Sequence, residues 1–275
     1  MRELERDLPI ATAPQRGRHA APGDAIPPLA IVGAGRVGGS LAAAAAAAGL
    51  DVRLAGRDDA LEACRNAEAA LLCVPDSEMR AAAETVAKAV PPLRYVGHVS
   101  GATPLDALDA CARRGASTFS LHPLQTVPDA NSDLTGAPCA IAGSDPDGAR
   151  LAGELARRLG MRPFEVAEEH RAAYHAAAVI ASNFLVALEE SAARLLGEAG
   201  VTDARETLAP LVLRTAANWA ELGPDALTGP IARGDTATVE RHTEAIRELA
   251  PELLALYGVL AARTAAVAAG EETPQ

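Results

Sequence analysis

The chain is 275 residues long, 49% hydrophobic but only 3% aromatic, and carries a formal net charge of −11. That length allows one large or two ordinary domains without disulfide or metal staples, and the acidity argues against nucleic acid or an anionic membrane as partner. No apolar run approaches a membrane span once charges are counted, and the opening MRELERDLPIATAPQ lacks the apolar stretch of a signal peptide. With so few aromatic residues, the core must be built from Ala, Leu and Val. The four cysteines, Cys64, Cys73, Cys111 and Cys139, show no metal-ligand spacing and read as buried thiols of a cytoplasmic protein. The sequence has one lysine, Lys88.

In chain order, residues 1–27 are rich in Arg, Pro, Ala and Gly without apolar periodicity and read as a disordered tail. PLAIVGAGRVGGSLAAAAAAAGLDVRLAGRD then gives a strand, a glycine turn, a helix and a second strand. EAALLCVPDSEM is a further buried strand, because parallel strands covered on both faces appear as continuous apolar runs. A helix over Glu78–Val90, a strand over Arg94–Ser100, a helix from Thr103 and a strand over Ser117–Leu121 follow. APCAIAG and MRPFEV add strands around a helix over Asp147–Leu159. This alternation predicts an α/β fold, a doubly wound parallel Rossmann sheet over residues 28–167. From about Glu168 the strand signals stop. Helices over Glu169–Ala199, Ala204–Leu222, Thr236–Leu249 and Pro251–Ala269 predict an all-helical domain over residues 168–270. No internal repeat is visible.

Gly33, Gly35 and Gly38 form G-x-G-x-x-G between the strand LAIV and a helix. The first glycine permits the tight turn, the second lets backbone approach a pyrophosphate, and the third lets helix and strand pack closely. With Ala34, Arg36 and Val37, these residues present the N–H groups and partial positive charge of a helix N-terminus to the phosphates. At the end of the second strand, where an NAD site carries Asp or Glu, Gly56 and Arg57 leave room for a ribose 2′-phosphate and pair with it. NADP(H) is therefore expected, although a shifted turn would present Asp58 or Asp59 instead. Val74, Pro75 and Asp76 should border the ribose and nicotinamide.

Read together with GHVSGATPLDAL, SLHPLQT, AAYHAAAVIASNFLVAL and ALTGPIARGD, these residues resemble a Rossmann-like family whose helical half is domain of unknown function 2520. The resemblance covers roughly residues 28–265. The family is similar to 6-phosphogluconate dehydrogenase-like proteins, alongside pyrroline-5-carboxylate reductase, ketopantoate reductase and prephenate dehydrogenase. The resemblance implies an NADP-linked oxidoreductase with its active site between the Rossmann domain and the helices. It names no substrate. Better-known relatives carry Lys-x-x-x-Asn on the first long helix, with the lysine as proton donor; here Val179 stands four residues before Asn183. A lysine mechanism is therefore not open to this chain.

His175 is one candidate for the missing acid. With Arg171 and Ser182 it falls within about 40° on a helical wheel, and Asn183 lies about 80° further round, making a polar stripe on an Ala-rich helix. A histidine titrates near neutral pH and can protonate an oxyanion; the bland reading is a packing histidine. His98 with Ser100, and His122 with Gln125 and Thr126, end two strands at the carboxyl edge where ligands bind in open α/β sheets. They equally suit a helix cap and a shaped turn. The three histidines have no short-spaced partner, so no metal is expected. In the loop LTGPIARGDTATVERH, Arg233 suits a substrate carboxylate or a surface pair with Asp235.

The sequence thus predicts an NADP(H)-dependent oxidoreductase reducing the C=O or C=N of a small carboxylate substrate. His175 or His122 would protonate or orient the substrate, Ser100 and Asn183 would hydrogen-bond it, and His98 and Arg233 would bind it. Ketopantoate-like 2-oxo acids come first and cyclic imino acids next, by resemblance alone. The rival is a dinucleotide-binding sensor without turnover. The apolar helices also predict a homodimer built through the helical domain.

Overall fold

The computed structural model describes residues 26–271, and the tail expected before residue 26 lies outside them. Ile26, placed in that tail by composition, packs against the core. Seven strands follow in chain order: β1 (Leu29–Val32), β2 (Val52–Ala55), β3 (Ala69–Leu72), β4 (Tyr95–His98), β5 (Ser117–Pro123), β6 (Pro138–Gly143) and β7 (Arg162–Glu165). They form one sheet in the order β2-β1-β3-β4-β5-β6-β7. The chain leaves β1 for β2 on one side and returns to β3 on the other, which makes the carboxyl edge between β1 and β3 a topological switch point.

Side-chain alternation along the strands explains the double winding. Leu29 and Ile31 of β1, Leu71 of β3 and Phe119 of β5 point to one face, where α1 (Arg36–Ala47) and α5 (Pro146–Arg158) cover them with Leu41, Leu151 and Leu155. Ala30 and Val32 of β1, Leu72 of β3 and Val96 of β4 point to the other face. There α2 (Ala60–Ala63), α3 (Met79–Val86) and α4 (Asp109–Ala112) contribute Ala63, Met79, Ala83 and Cys111. Both faces are covered, which is why the strands read as unbroken apolar runs. The start of α5 is fixed by Asp145, whose carboxylate accepts from Gly148 N at 2.8 Å, with proline in the first turn.

Three expectations need correction. The sheet is not wholly parallel, because β6 runs antiparallel to β5. No helix lies between Pro123 and Pro138, so the chain returns without the crossover that a parallel neighbour requires. The single helix expected over Glu169–Ala199 is two, α6 (Arg171–Ala181) and α7 (Asn183–Glu198), broken at Ser182 with φ −122° and ψ −71°. Ser and Asn side chains compete for backbone hydrogen bonds and favour helix ends, and here Ser182 Oγ bonds Asn183 Oδ1 at 3.4 Å. The third concerns apolar length: Glu168–Glu198 and Pro251–Ala268 reach mean hydropathies of 1.3 and 1.2, enough by length and composition for a membrane span. Leu, Val, Ile and Phe supply most of that value, and the first stretch contains the Ser182 break and the buried Arg171.

The chain divides into two compact units, one ending at His175 and the other starting at Ala176. The second holds α7, α8 (Ala204–Leu222), α9 (Thr236–Leu249) and α10 (Leu254–Ala268). Among its described residues only Ile246 and Ala250 are buried, while Phe184, Val186, Leu211, Leu213, Trp219 and Val259 are exposed.

Candidate active site

The glycine turn has the geometry its spacing implies. Gly33 has φ +114°, and a Cβ there would lie 2.2 Å from the Cys73 carbonyl oxygen; a Cβ on Gly38 would lie 1.9 Å from the Gly33 oxygen. Both glycines are needed for packing. Gly35 differs: a Cβ would meet nothing within 4 Å, and no side chain caps the α1 N-terminus that it begins. Open space therefore stands against the first N–H groups of a helix, including those of Arg36 and Val37, with Ala34 in the turn, and such a terminus favours an anion. Gly56 is likewise open. Arg57 beyond it has 76% side-chain exposure and donates to the Glu78 carboxylate.

Beside the α1 terminus lies a cavity of about 310 Å³ lined by Arg36, Val37, Val74, Asp76, Ser100, Gly101, His122, Gln125 and His175, among others. All belong to the first unit. His122 near the end of β5 and His175 on α6 stand with ring centroids 6.0 Å apart, and His122 Nδ1 is 2.6 Å from Tyr174 Oη. Gly101 makes this approach possible. A Cβ there would lie 2.6 Å from His175 Cδ2 and 2.9 Å from both Cε1 and Nε2 of His122.

Arg171 holds this group in place. Its buried guanidinium donates to Glu168 Oε1 at 2.6 and 3.0 Å, to Ser120 Oγ at 2.5 Å and to the Ser100 carbonyl at 3.3 Å. Glu168 in turn accepts from Leu105 N at 3.1 Å. The first turn of α6 is thereby pinned to the sheet edge, and Tyr174 and His175, three and four residues on, share the face of Arg171. The polar stripe is therefore real from Arg171 to His175. It stops at the Ser182 break, so the angular argument does not carry to Ser182 and Asn183.

Burial sets the protonation states. It pushes His122 down to about 4, with further lowering from His175 and Arg171. It also pushes the Tyr174 hydroxyl up to about 12. At neutral pH His122 is a neutral imidazole and Tyr174 a phenol.

The other expected site residues fall elsewhere. His98 does not line the cavity: it is 0% exposed on β4 between Leu72 and Ser120, and burial pushes it down to about 4. That corrects its placement as a substrate ligand, since a side chain with no exposed surface and no place in the cavity wall touches no ligand there. Ser100 reaches the cavity, yet its Oγ accepts from Ala102 N at 3.2 Å and Thr103 N at 2.8 Å, as a turn cap does. Asn183 and Arg233 are exposed and belong to the second unit. Pro75 precedes the helical turn Asp76–Glu78. Among the described residues no group of three or more His, Cys, Asp or Glu is placed to hold a metal. Tyr174, Gly101 and Glu168 are in the cluster but not among the site residues expected from the sequence. Glu168 and Tyr174 flank Arg171 at three-residue spacing, which was a usable signal; the Gly101 contact is tertiary and left none.

A Rossmann-like domain model matches residues 57–123, and the model described as domain of unknown function (DUF2520) matches residues 137–264. The chain joins a Rossmann-like domain to a DUF2520 domain. The DUF2520 match starts at Ala137, so it takes in β6, α5 and β7 as well as the helices. No curated protein matches the sequence. A Bacteroides fragilis protein provisionally assigned as an NADP oxidoreductase is 22% identical, with 88% of this chain and 98% of that one covered at a TM-score of 0.74. A Thermotoga maritima protein is also 22% identical, over 88% and 99% of the two chains, at 0.69. A reductive aminase from Aspergillus terreus, solved with NADPH and ethyl levulinate, is 21% identical over 89% and 94%, at 0.63. At these identities the likeness establishes a shared fold.

Proposed function

We propose that the protein is an NADP(H)-dependent oxidoreductase that reduces the C=O or C=N carbon of a small carboxylate substrate. The observation that carries the reading is the adjacency of an open, uncapped α1 N-terminus at Gly35 to a cavity holding His122 and His175. The residues fit the cofactor: Gly35, Arg36 and Val37 would hold its pyrophosphate, Arg57 its 2′-phosphate, and Val74, Pro75 and Asp76 its ribose and nicotinamide end. Bound there, NADPH supplies the hydride. Solved neighbours carrying NADPH, or assigned to NADP chemistry, support the choice of cofactor.

The chain's own residues would manage the proton. Lys88, the only lysine, is exposed just after α3 and is not among the residues lining the cavity, so it is not the donor. His175 is the assigned donor to the developing oxyanion or amine. His122 stays neutral, and we assign its Nε2–H tautomer: Tyr174 would then donate to Nδ1, 2.6 Å away, and the Nε2 proton beside Gly101 would orient the substrate by hydrogen bonding. Among substrates, 2-oxo acids of the ketopantoate type come first and cyclic imino acids second. In the helical unit, Asn183 and Arg233 are proposed as groups that hydrogen-bond and pair with the substrate, a second copy of the chain would pair through that unit as a homodimer, and the four free cysteines suit the cytoplasm. The test is NADPH consumption against a panel of 2-oxo and cyclic imino acids. Turnover of one member supports the reading, whereas tight NADPH binding with no turnover on any member favours a sensor.

A further inference from the structure

At the ends of β1 and β3, a second cavity of about 120 Å³ opens beside the glycine turn. Val32, Ala60, Val74 and Ala82 make its walls small and apolar, which suits the flat face of a base. Its two charged lining residues are Arg57 and Glu78, and they are joined to each other. Arg57 follows β2 directly after the open Gly56; Glu78 ends the helical turn Asp76–Glu78 that follows β3. The guanidinium is therefore already held by a carboxylate from the opposite wall of the cavity.

We propose that Glu78 sets the strength of cofactor discrimination by competing with the ribose 2′-phosphate for Arg57. This rests on the NADP(H) reading and adds a residue to it. A 2′-phosphate that takes the Nη2 edge of the guanidinium displaces Glu78 from it, and one that takes another edge still lies close to the Glu78 carboxylate; either way a dianion meets a carboxylate at Arg57. NADH brings only a hydroxyl, so the Arg57–Glu78 pair persists when it binds. The pair thus weakens NADPH binding and leaves NADH binding as it is. Its size is bounded by exposure. With Arg57 at 76% and Glu78 at 39%, an ion pair of this kind changes an equilibrium by about fivefold at most.

The experiment is fluorescence titration of NADPH and of NADH into the full chain and into Glu78→Gln, Arg57→Ala and the double variant. Glu78→Gln should bind NADPH about two- to fivefold tighter and NADH unchanged, and in the Arg57→Ala background the gain should vanish. Unchanged or weaker NADPH binding by Glu78→Gln overturns the proposal. So does weakened NADH binding, which would make Glu78 the acceptor for the ribose hydroxyl, and so does a full gain without Arg57. Failure of the underlying reading looks different: Arg57→Ala would then leave the NADPH-to-NADH ratio of the wild type unaltered, and both claims would fall together.

Discussion

Gly101 bears no side chain, and two imidazoles occupy the space a methyl group would need. Gly101→Ala should therefore part His122 from His175, and a displacement of about 1 Å at a reacting group can cost about 10²-fold in rate. Kinetics on whichever substrate the panel identifies would show this, with the melting temperature confirming that the variant folds. Histidine burial makes a separate prediction about stability. His98 and His122 titrate near 4 in the native protein against an ordinary 6.5, so between those values the unfolded chain binds more protons. Stability then rises with pH across that window and is lost as pH falls through it. Melting temperatures measured from pH 7 down to 4 should fall, and His98→Leu should flatten part of the slope. An unaltered slope in that variant would contradict a buried neutral His98.

At the scale of elements, the start of α6 decides where the site is. Arg171 reaches Ser120 within β5, the carbonyl of Ser100 just beyond β4, and Glu168 in one cluster, and its removal leaves Glu168 without its cation and Ser120 without its donor. Arg171→Ala should destabilise the protein by about 2 kcal/mol, the scale of losing charge-assisted hydrogen bonds of a buried guanidinium whose partner Glu168 is 36% exposed, as denaturant unfolding would measure. Arg171→Lys should rescue little, because an ammonium cannot span three acceptors in a plane. This cluster also marks the limit of what periodicity reveals. The strands, the glycine turn, His122 at the sheet's carboxyl edge and the placement of Arg171 and His175 on one helical face all followed from local pattern. The break at Ser182 did not, since Ala-rich sequence continues on both sides and only backbone competition by Ser182 and Asn183 interrupts it. Antiparallel β6 was hidden for a similar reason: its apolar run has the composition of a parallel strand, and direction is set by the helix-free connection before it. His98 looked like a ligand because it ends a strand, but its side chain points off the sheet into covered interior and is fully buried.

At the scale of the whole molecule, the unit from Ala176 onward presents Phe184, Val186, Leu213, Trp219 and Val259 to the surface. The proposed homodimer would cover these side chains with a second copy of the chain. Light scattering at micromolar concentration should give twice 28.1 kDa, and Leu213→Glu or Val259→Glu should shift the protein toward monomer. A monomer mass for the unaltered chain would remove the dimer. The central claim is that this chain transfers a hydride from NADPH with a histidine, in place of a lysine, supplying the proton. Its most direct measurement is the loss of NADPH absorbance with the panel of 2-oxo and cyclic imino acids, run on the wild type and on His175→Asn. The wild type should consume NADPH with at least one substrate, and His175→Asn should lose about 10²-fold or more in turnover with NADPH affinity little changed. Undiminished turnover by His175→Asn, or no consumption by a wild type that binds NADPH, would contradict the claim.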